Sequence, residues 1–390
     1  MDKIEEILTR GVANIIPGKE KLSEDLSTGK KLNIYLGIDP TAPRIHLGHA
    51  VPLRKLQLFA ELGHNVTLLI GDFTALVGDT SDKESERPML TEEEIKENLQ
   101  TYKKQAEKIL DFSKIKIRYN SEWLSEMTYK DGLRLKQKFS LNDFISRELV
   151  KKRLDQGKRV RLDETEYPIM QGYDSYFLDT DVQLGATDQT FNMQAGRTLQ
   201  KVLRNKESFI IANTYLEGTD GRKMSKSWGN AIWLDDAPSD MYTKIMSIND
   251  DLIVQYFTLA TTVPLEEVDT INESLKRGDH PMQLKKKLAY EIVSELHSKE
   301  DADKAAESFG KVVQEGELPE DIAELAIENE TNIVDALIKG NLVESKSEAR
   351  RLLEQGGVTL NDEKITNPDS TIKEGILKVG KRKFLKVVIK

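Results

Sequence analysis

The fold is decided by residues 32–70, LNIYLGIDPTAPRIHLGHAVPLRKLQLFAELGHNVTLLI. Leu32–Gly37 is a short apolar run of β-favouring residues and predicts a strand, and the proline-bearing segment Asp39–Pro43 predicts a turn. His46–Leu62 has apolar residues at helical spacing, whereas Val66–Ile70 is continuously apolar, as in a strand buried on both faces. Strand, helix and strand in this order form a βαβ unit, so we predict a parallel sheet and an α/β fold class.

The same alternation extends outward from this unit. We expect residues 1–30 to form a leading amphipathic helix and a polar loop. Further predicted elements are a helix from Thr91 to about Leu110, a strand at Ile115–Tyr119, charged helices over 123–155, a helix around Ile169–Leu178, a strand at Asp181–Leu184, a helix at Gln189–Leu203 and a strand at Ser208–Ala212.

Three domains are predicted from changes in this pattern. Residues 1–235 form the α/β domain, with a helical insertion at about 80–165. Residues 236–320 look entirely helical and end in an acidic linker at Glu315–Glu320. Residues 328–390 have two short helices followed by alternating strands, which predicts a small α+β domain.

Composition excludes several classes of protein. The chain of 390 residues is too long for one ordinary core, and its lack of cysteine excludes disulfides, thiolate zinc sites and cysteine nucleophiles. The longest apolar runs are strand-sized and the N-terminus lacks an apolar signal core, so we expect a cytoplasmic protein with no membrane partner. The net charge of −9 argues against a generic nucleic-acid binder but leaves room for local basic patches.

The first chemical motif is His46-Leu47-Gly48-His49, at the start of a predicted helix. The two histidines share a face, the free amides of a first helical turn attract anions, and Gly48 leaves room for a base or ribose. This arrangement suits the phosphates of ATP. A bare pair of surface histidines is the common alternative. A metal site would need a third ligand, and with five histidines and no cysteine in the chain we predict none.

The second motif is Lys223-Met224-Ser225-Lys226-Ser227, in a loop that also contains Gly218, Gly221 and Gly229. Two lysines on a mobile loop can close over a triphosphate and neutralise charge as pyrophosphate leaves. An ordinary solvated basic loop is the alternative. The order of the two motifs within one α/β domain favours the ATP site.

A third pattern lies on one predicted helix. Tyr167, Gln171 and Asp174 are spaced so that they share one helical face. We expect this face to point into the crevice at the carboxyl ends of the strands, where such sheets bind ligands. A buried helix with a few polar residues is the alternative, but it does not explain Gln and Asp on the same stripe.

With these motifs the chain resembles the class I aminoacyl-tRNA synthetases, and over essentially its whole length it is similar to bacterial tyrosyl-tRNA synthetases. The resemblance also rests on the segments Tyr35–Thr41, Val77–Asp79, Tyr167–Asp174 and Gly185–Gln189. It departs from the commonest pattern at Ala186 and Leu47. The resemblance implies a homodimer with a Rossmann-like catalytic domain, a helical anticodon-binding domain and a C-terminal S-four-like RNA-binding domain.

The same resemblance implies roles for individual residues. Catalytic positions around the phosphates are His46, His49, Lys223, Lys226 and Thr41. Positions that bind tyrosine are Tyr35, Asp79, Tyr167, Gln171, Asp174 and Gln189. Positions that bind ATP are Gly37, Asp39, Gly48, Gly185, Asp188 and Lys226.

The expected reaction is activation of L-tyrosine by ATP with Mg²⁺, followed by transfer of the tyrosyl group to tRNA-Tyr. The basic segment Ser345–Leu353 and the basic C-terminal tail would follow the RNA backbone. Two alternatives remain from the sequence. A tryptophanyl-tRNA synthetase shares the catalytic fold, and a synthetase-derived RNA-binding protein would lack catalysis.

Overall fold

The computed structural model describes residues 2–79, 90–226, 228–311, 322, 324–329, 331–343, 345–380 and 383–389. The chain divides into two compact units, Met1–Lys299 and Glu300–Lys390. The predicted linker Glu315–Glu320 lies outside the described residues. Within the described part of the chain, none of the helices combines the length and apolar character needed to cross a bilayer.

A six-stranded sheet forms the centre of the first unit. Its strands are β1 (Val12–Ile16), β2 (Asn33–Ile38), β3 (Asn65–Ile70), β4 (Ile115–Tyr119), β5 (Val182–Ala186) and β6 (Phe209–Asn213). They lie in the order β1-β6-β5-β2-β3-β4; β2 to β6 are parallel, and β1 runs antiparallel to β6. The predicted α/β class and parallel sheet are confirmed.

Helices cover both faces of this sheet. They are α1 (Lys3–Thr9), α2 (Lys19–Ser27), α3 (Leu47–Glu61), α4 (Glu92–Ala106), α5 (Ser121–Leu124), α6 (Tyr129–Lys136), α7 (Leu141–Ile145), α8 (Glu148–Asp155), α9 (Glu166–Phe177) and α10 (Thr190–Arg204). The predicted helix that starts at Thr91 is present and begins with a capping box, since the Thr91 hydroxyl accepts from Glu94 N at 3.2 Å and Thr91 N donates to the Glu94 carboxylate at 2.8 Å.

The strand order predicts where a ligand-binding crevice lies. The chain leaves β2 toward β3 on one side, whereas β5 lies on the other side of β2. Connections therefore diverge between β2 and β5, and open parallel sheets bind ligands at the carboxyl ends of the strands at such a switch point. The residues that follow β2 and β5 are those of the first motif region and the Gly185–Gln189 segment.

One prediction about the first unit is wrong in part. Residues 1–30 do not form one helix and a loop, because Val12–Ile16 is an edge strand paired with β6 and buries Ile15 against it. A single apolar strand between two short helices has too little periodicity to be distinguished from a helix. Within the span 80–165, the predicted strand Ile115–Tyr119 is confirmed as β4, which pairs with β3, and the insertion itself stays a prediction.

The chain after the sheet is helical through the end of the first unit. Its helices are α11 (Pro238–Met246), α12 (Ile253–Ala260), α13 (Leu265–Lys276) and α14 (Pro281–Leu296), and α15 (Lys299–Phe309) begins at the boundary between the units. Pro264 and Gly278 lie between these helices. The division of the first unit into an α/β domain and a helical domain stays a prediction.

The second unit contains a five-stranded sheet in the order β7-β11-β10-β8-β9. Its strands and further helices are β7 (Glu324–Ile327), α16 (Ile333–Lys339), α17 (Lys346–Glu354), β8 (Val358–Leu360), β9 (Glu363–Lys364), β10 (Gly375–Val379) and β11 (Lys383–Ile389). β7 is parallel to β11, so the sheet begins before the predicted domain boundary at residue 328. Ile333, Leu337 and Leu353 are fully buried in its core.

A buried ion pair holds the segment that precedes α9, the helix that carries Tyr167, Gln171 and Asp174. Arg153 of α8 donates to both Glu164 carboxylate oxygens, at 2.7 and 2.9 Å, and to the Arg159 carbonyl at 2.7 Å. Glu164 also accepts from the Arg161 amide at 2.9 Å. Arg153 is 2% exposed and Glu164 is 4% exposed, so each buried charge needs the other as its counter-ion.

We predict that Glu164→Ala lowers the free energy of unfolding by about 3–5 kcal/mol, because Arg153 would stay buried without its counter-ion. Urea titrations followed by circular dichroism measure this. As a control, Lys136→Ala breaks the half-exposed pair of Lys136 with Glu166 and should cost about 1 kcal/mol or less. Equal effects of the two substitutions would contradict the structural role of the buried pair.

Candidate active site

A cavity opens at the predicted switch point, between the ends of β2 and β5 and the inner face of α9. The predicted substrate residues that line it are Tyr35, Gly37, Asp39, Tyr167, Gln171, Asp174, Gly185 and Gln189. Thr74 and Asn120 also line it. The structure therefore brings most of the predicted tyrosine-binding and ATP-binding residues into one crevice.

The Asp174 carboxylate lies on the buried side of this cavity and is 3% exposed. It accepts a hydrogen bond from Asn120 Nδ2 at 3.1 Å and one from Trp123 Nε1 at 2.8 Å. Burial raises the pKa of Asp174 from an ordinary 3.8 to about 7, although the two donors oppose that rise. A further hydrogen-bond donor that enters the cavity would stabilise the ionised form of Asp174.

Tyr35 projects from β2 and is 3% exposed. Its hydroxyl donates to Gln183 Oε1 at 3.3 Å, and Gln183 in turn donates to the Met193 carbonyl at 3.0 Å. Burial, and then the nearby Asp174 charge, raise the pKa of Tyr35 well above its ordinary value, so the phenol is neutral. Tyr35 thus supplies a hydroxyl beside the Asp174 carboxylate.

Asp39 connects the tyrosine side of the cavity to the following turn. Its two carboxylate oxygens accept from Thr74 Oγ1 and from the Tyr167 hydroxyl, each at 2.8 Å. Thr74 Oγ1 accepts from Asn120 Nδ2 at 3.0 Å, so Asp39 and Asp174 share one hydrogen-bond network. Gly71 permits this approach, because a Cβ there would lie 2.0 Å from Asp39 Oδ1.

Asp79 lies beside the cavity rather than in its wall. Its carboxylate accepts from Gln189 Nε2 at 2.7 Å, and the Gln189 amide oxygen accepts from Asn192 Nδ2 at 3.2 Å. Gln171 lines the cavity from α9. Gln171 and Gln189 therefore offer polar groups in the cavity wall, and Asp79 is joined to that wall through Gln189.

The first motif forms the start of α3, as predicted. The His46 amide donates to His49 Nδ1 at 3.3 Å, and the two imidazole rings lie with centroids 3.9 Å apart. Gly48 has no room for a side chain, because a Cβ would lie 2.9 Å from His46 Nδ1. The His46 Nδ1 atom is buried and has no hydrogen-bond partner among the described residues.

Both imidazoles are neutral at pH 7. Burial, and then the charges of Lys226 and Lys223, lower the pKa of His46 to about 3. Burial, His46 and the same two lysines lower the pKa of His49 well below its ordinary value. The histidines can therefore donate or accept hydrogen bonds, whereas the positive charge of the site comes from the lysines.

The second motif brings its two lysines to this position. Lys223 Nζ lies 2.8 Å from Asp188 Oδ2, and Lys226 Nζ donates to Thr41 Oγ1 at 3.1 Å. Ser227 lies outside the described residues. Since Asp39 is in the cavity wall and Thr41 is two residues further on, the lysine cluster and the cavity are adjacent parts of one site.

The end of this loop is anchored to the first motif. Leu47 N donates to the Ile232 carbonyl at 2.9 Å, and Leu234 N donates to the Ile45 carbonyl at 2.8 Å. The Arg44 guanidinium lies 2.7 Å from Asp235 Oδ1. The loop is therefore fixed beside His46 at its C-terminal end, and Met224 N, between the two lysines, donates to the Leu216 carbonyl at 3.1 Å.

Sequence reasoning missed four residues of the site: Thr74, Asn120, Trp123 and Gln183. A signal existed for Asn120, since it directly follows β4 and a polar residue at the carboxyl end of a parallel strand is a candidate ligand. Trp123 and Gln183 are buried, and nothing in their spacing distinguishes them from core residues. The roles of the predicted residues stay predictions at this point.

Within the described residues, no group of three or more His, Asp or Glu side chains is arranged to hold a metal ion. Lys223 and Lys226 bring positive charge to Asp188 and Thr41.

Comparisons with known proteins give consistent results. Residues 27–314 match the family model of class I tRNA synthetases (W and Y), and residues 314–387 match that of the SYY-like C-terminal domain of tyrosine–tRNA ligases. The tyrosine–tRNA ligase of Dehalococcoides mccartyi is 45% identical over 99% of this chain and 99% of its own length. That of Thermotoga maritima is 43% identical over 98% of this chain and 96% of its own length.

Solved structures show the same similarity. A C-terminally truncated mitochondrial tyrosyl-tRNA synthetase of Aspergillus nidulans has a TM-score of 0.66 and 25% identity, covering 78% of this chain and 92% of that chain. A tyrosyl-tRNA synthetase of Archaeoglobus fulgidus, solved with L-tyrosine, has a TM-score of 0.62 and 25% identity, covering 78% and 100%. Because both family models and near full-length relatives agree with the site geometry, the chain belongs to the tyrosine–tRNA ligase family of class I tRNA synthetases.

Proposed function

We propose that this chain activates L-tyrosine with ATP and then loads the tyrosyl group onto tRNA-Tyr. The observation that supports this most directly is the pair formed by Tyr35 and the buried Asp174 carboxylate. A substrate phenol can donate to Asp174 and accept from Tyr35 at the same time. An indole N–H can only donate, and a phenyl ring would leave Asp174 without its third donor.

The proposed tyrosine site uses the remaining polar groups of the cavity for the other end of the substrate. Asp79, Tyr167 and Gln171 would bind the ammonium group, with Gln189 beside them. Asp79 brings the negative charge that this requires. The substrate carboxylate would then lie toward Asp39 and Thr41, where the lysine cluster begins.

In the first step, the tyrosine carboxylate oxygen attacks the α-phosphorus of ATP, and the bond from this phosphorus to the β-phosphate bridging oxygen breaks. Pyrophosphate leaves and tyrosyl-adenylate remains. The sites proposed around adenosine and phosphates are Gly37, Asp39, Thr41, Gly48, Gly185 and Asp188. Mg²⁺ would arrive with ATP and offset part of the phosphate charge.

The chain's own contribution to this step is positioning and charge. Lys223 and Lys226 would stabilise the charge that develops on the leaving pyrophosphate. His46 and His49 are neutral and would donate hydrogen bonds to phosphate oxygens from the start of α3. His46 Nδ1 is buried and has no hydrogen-bond partner among the described residues, so it keeps hydrogen-bonding capacity for a bound ligand.

In the second step, a hydroxyl of the terminal ribose of tRNA-Tyr attacks the tyrosyl carbonyl carbon and AMP leaves.

We further propose that the chain acts as a homodimer. Large apolar side chains are exposed on consecutive elements between α6 and α9. They are Tyr129, Leu133, Leu141, Leu154 and Leu162, with Tyr129 and Leu162 about four-fifths exposed. A second copy of the chain would cover this surface.

Tyrosine-dependent pyrophosphate exchange tests the proposed function. We expect exchange with tyrosine and none with tryptophan or phenylalanine at equal concentration. Exchange with tryptophan at a similar rate would favour the tryptophanyl alternative. Absence of exchange with every amino acid would favour an RNA-binding protein without catalysis.

We predict that tyrosine affinity falls below about pH 7. Asp174 has a pKa of about 7 in the free protein, so the carboxyl is increasingly protonated at lower pH. A protonated carboxyl accepts the hydrogen bond of the substrate phenol less strongly than a carboxylate does. Affinity should fall by up to about tenfold per pH unit below that value. Calorimetric titration with tyrosine between pH 5.5 and 8.5 measures it.

Asp174→Asn is the matched variant, because the amide keeps the shape of the carboxyl but does not titrate. It should bind tyrosine weakly, and its affinity should not change with pH. Loss of affinity at low pH that is the same in both proteins would assign the titration to another group.

We predict that Lys226→Ala and Lys223→Ala slow adenylate formation by about 100- to 1,000-fold, equivalent to about 2.7–4 kcal/mol of barrier. The reason is that each lysine offers a charge preorganised for the leaving pyrophosphate. Single-turnover kinetics separate the rate constant from ATP affinity. Lys201→Ala, which removes an exposed lysine on α10, is the control. A loss confined to ATP affinity would contradict this role.

The C-terminal unit carries the proposed RNA contacts on α17. Arg350 and Arg351 are both exposed there. Lys383 and Lys386 were predicted to act on the RNA as well, but Lys383 donates to the Leu342 carbonyl at 2.7 Å and Lys386 pairs with Glu324. Both lysines are nevertheless exposed, so the tail stays a proposed RNA contact beside the two arginines; Lys381 and Arg382 lie outside the described residues.

We predict that the double substitution Arg350→Ala, Arg351→Ala weakens tRNA binding and reduces its salt dependence. Each lost phosphate contact lowers the slope of log affinity against log salt by about 1, because fewer counterions are released. Filter binding at several salt concentrations measures the slope. Lys304→Ala, at an exposed ion pair of α15, is the control. Identical slopes for the double variant and the unsubstituted chain would exclude these arginines from the RNA interface.

A further inference from the structure

The loop of the second motif carries a large apolar side chain that faces solvent. Trp228 follows the lysines of the motif and is 51% exposed. It belongs to none of the described apolar clusters. Exposure of one apolar side chain is common, but an indole exposes far more apolar surface than most residues and can also stack with flat ligands.

One face of this indole is already covered by a cation. The Arg222 guanidinium carbon lies 4.7 Å from the ring centroid of Trp228. Arg222 is itself fixed by Asp220, since Arg222 Nε donates to Asp220 Oδ2 at 2.7 Å and Arg222 N to Oδ1 at 3.1 Å. Asn230 Nδ2 also donates to Asp220 at 2.7 Å. The indole is therefore supported from one side by groups within its own loop.

Trp228 keeps about half of its surface exposed, at 51%, although Arg222 lies over its ring. Among the described residues, Arg222 supplies the one cation and no residue supplies a ring that contacts Trp228. Two residues away in sequence, Lys226 extends to Thr41, and Lys223 extends to Asp188. The loop thus presents an exposed flat apolar face next to two ammonium groups and close to the proposed adenylate.

We propose that Trp228 is a stacking platform for an unpaired nucleobase, and that this base belongs to the 3′ strand of the tRNA acceptor end. The inference rests on the proposed function. A nucleobase is flat, stacks on aromatic side chains whatever its identity, and carries a phosphate that a nearby lysine can contact. A peptide or a lipid headgroup does not combine these features.

The 3′ strand fits this position better than the adenine of ATP. Of the proposed adenosine contacts, Gly185 lines the cavity, and a Cβ would lie 3.0 Å from the Met193 side chain at Gly185 and 2.9 Å from His46 Nδ1 at Gly48. Trp228 does not line the cavity and is 51% exposed, and Lys226, two residues before it, contacts Thr41. A strand that delivers its terminal ribose to the adenylate would pass this entrance, and its preceding bases would lie outside the crevice.

Tryptophan fluorescence can test the stacking directly. The chain has three tryptophans, of which Trp123 is buried and Trp233 is half-buried. Full-length tRNA-Tyr should quench the emission, and tRNA lacking its unpaired 3′ nucleotides should quench it much less. This difference should be absent from Trp228→Phe. Saturating ATP alone should not reproduce the quenching.

Kinetics of the two steps give an independent test. Trp228→Ala should raise the KM for tRNA in aminoacylation by about 5- to 100-fold. Its rate of tyrosine-dependent pyrophosphate exchange should stay close to that of the unsubstituted chain. Trp228→Phe keeps a ring and should recover most of the loss. Tyr215→Ala removes an exposed aromatic residue before the loop and is the matched control.

The outcomes separate this inference from the proposed function. Quenching by ATP alone, or an equal loss in exchange and aminoacylation, would place adenine of ATP on the indole and overturn the tRNA assignment. Equal quenching by full-length and trimmed tRNA would overturn the platform altogether. If the unsubstituted chain shows no tyrosine-dependent exchange, the proposed function itself fails, whatever Trp228 does.

Discussion

The buried Asp174 carboxylate is the constraint on which the tyrosine end of the site depends. Raising its pKa from 3.8 to about 7 corresponds to a cost of about 4 kcal/mol for ionisation in the empty cavity. Asn120 and Trp123 offset only part of the desolvation that causes this rise. The protein therefore keeps a group that is unfavourable without ligand, and a substrate hydroxyl that donates to it would recover part of that cost.

This network also links the two ends of the site. Asn120 donates to both Asp174 and Thr74, and Thr74 donates to Asp39, so one chain of hydrogen bonds crosses the cavity. Asp39 begins the turn that leads to Thr41 and the first motif. Since β2 and β3 end side by side, the sheet itself determines these distances. A ligand that displaces Asp174 or Asp39 must rearrange several buried groups, which favours ligands that fit the existing positions.

Much of this site follows from sequence, for physical reasons that differ between its parts. The βαβ unit of residues 32–70 was predictable because its apolar periods are long and its turn is rich in proline. Tyr167, Gln171 and Asp174 were predictable because helical spacing alone puts them on one face. Asn120 and Gln183 contact these residues from other strands, and contacts across a sheet leave no regular spacing. Strand β1 was missed because only one of its five residues, Ile15, is buried, so the segment lacks the apolar pattern of the central strands.

The distribution of charge explains why both motifs are needed to bind an anion. His46 and His49 are neutral because burial and the nearby lysines disfavour their protonated forms. An anion bound at the start of α3 would therefore find hydrogen bonds from the helix and histidines, but its counter-charge would come from the loop. The loop is fixed to Ile45–Leu47 at one end, so bringing Lys223 and Lys226 onto a phosphate costs less conformational entropy than ordering a free segment. In the present arrangement these lysines already contact Asp188 and Thr41, so closure over a ligand exchanges one set of partners for another instead of creating order from disorder.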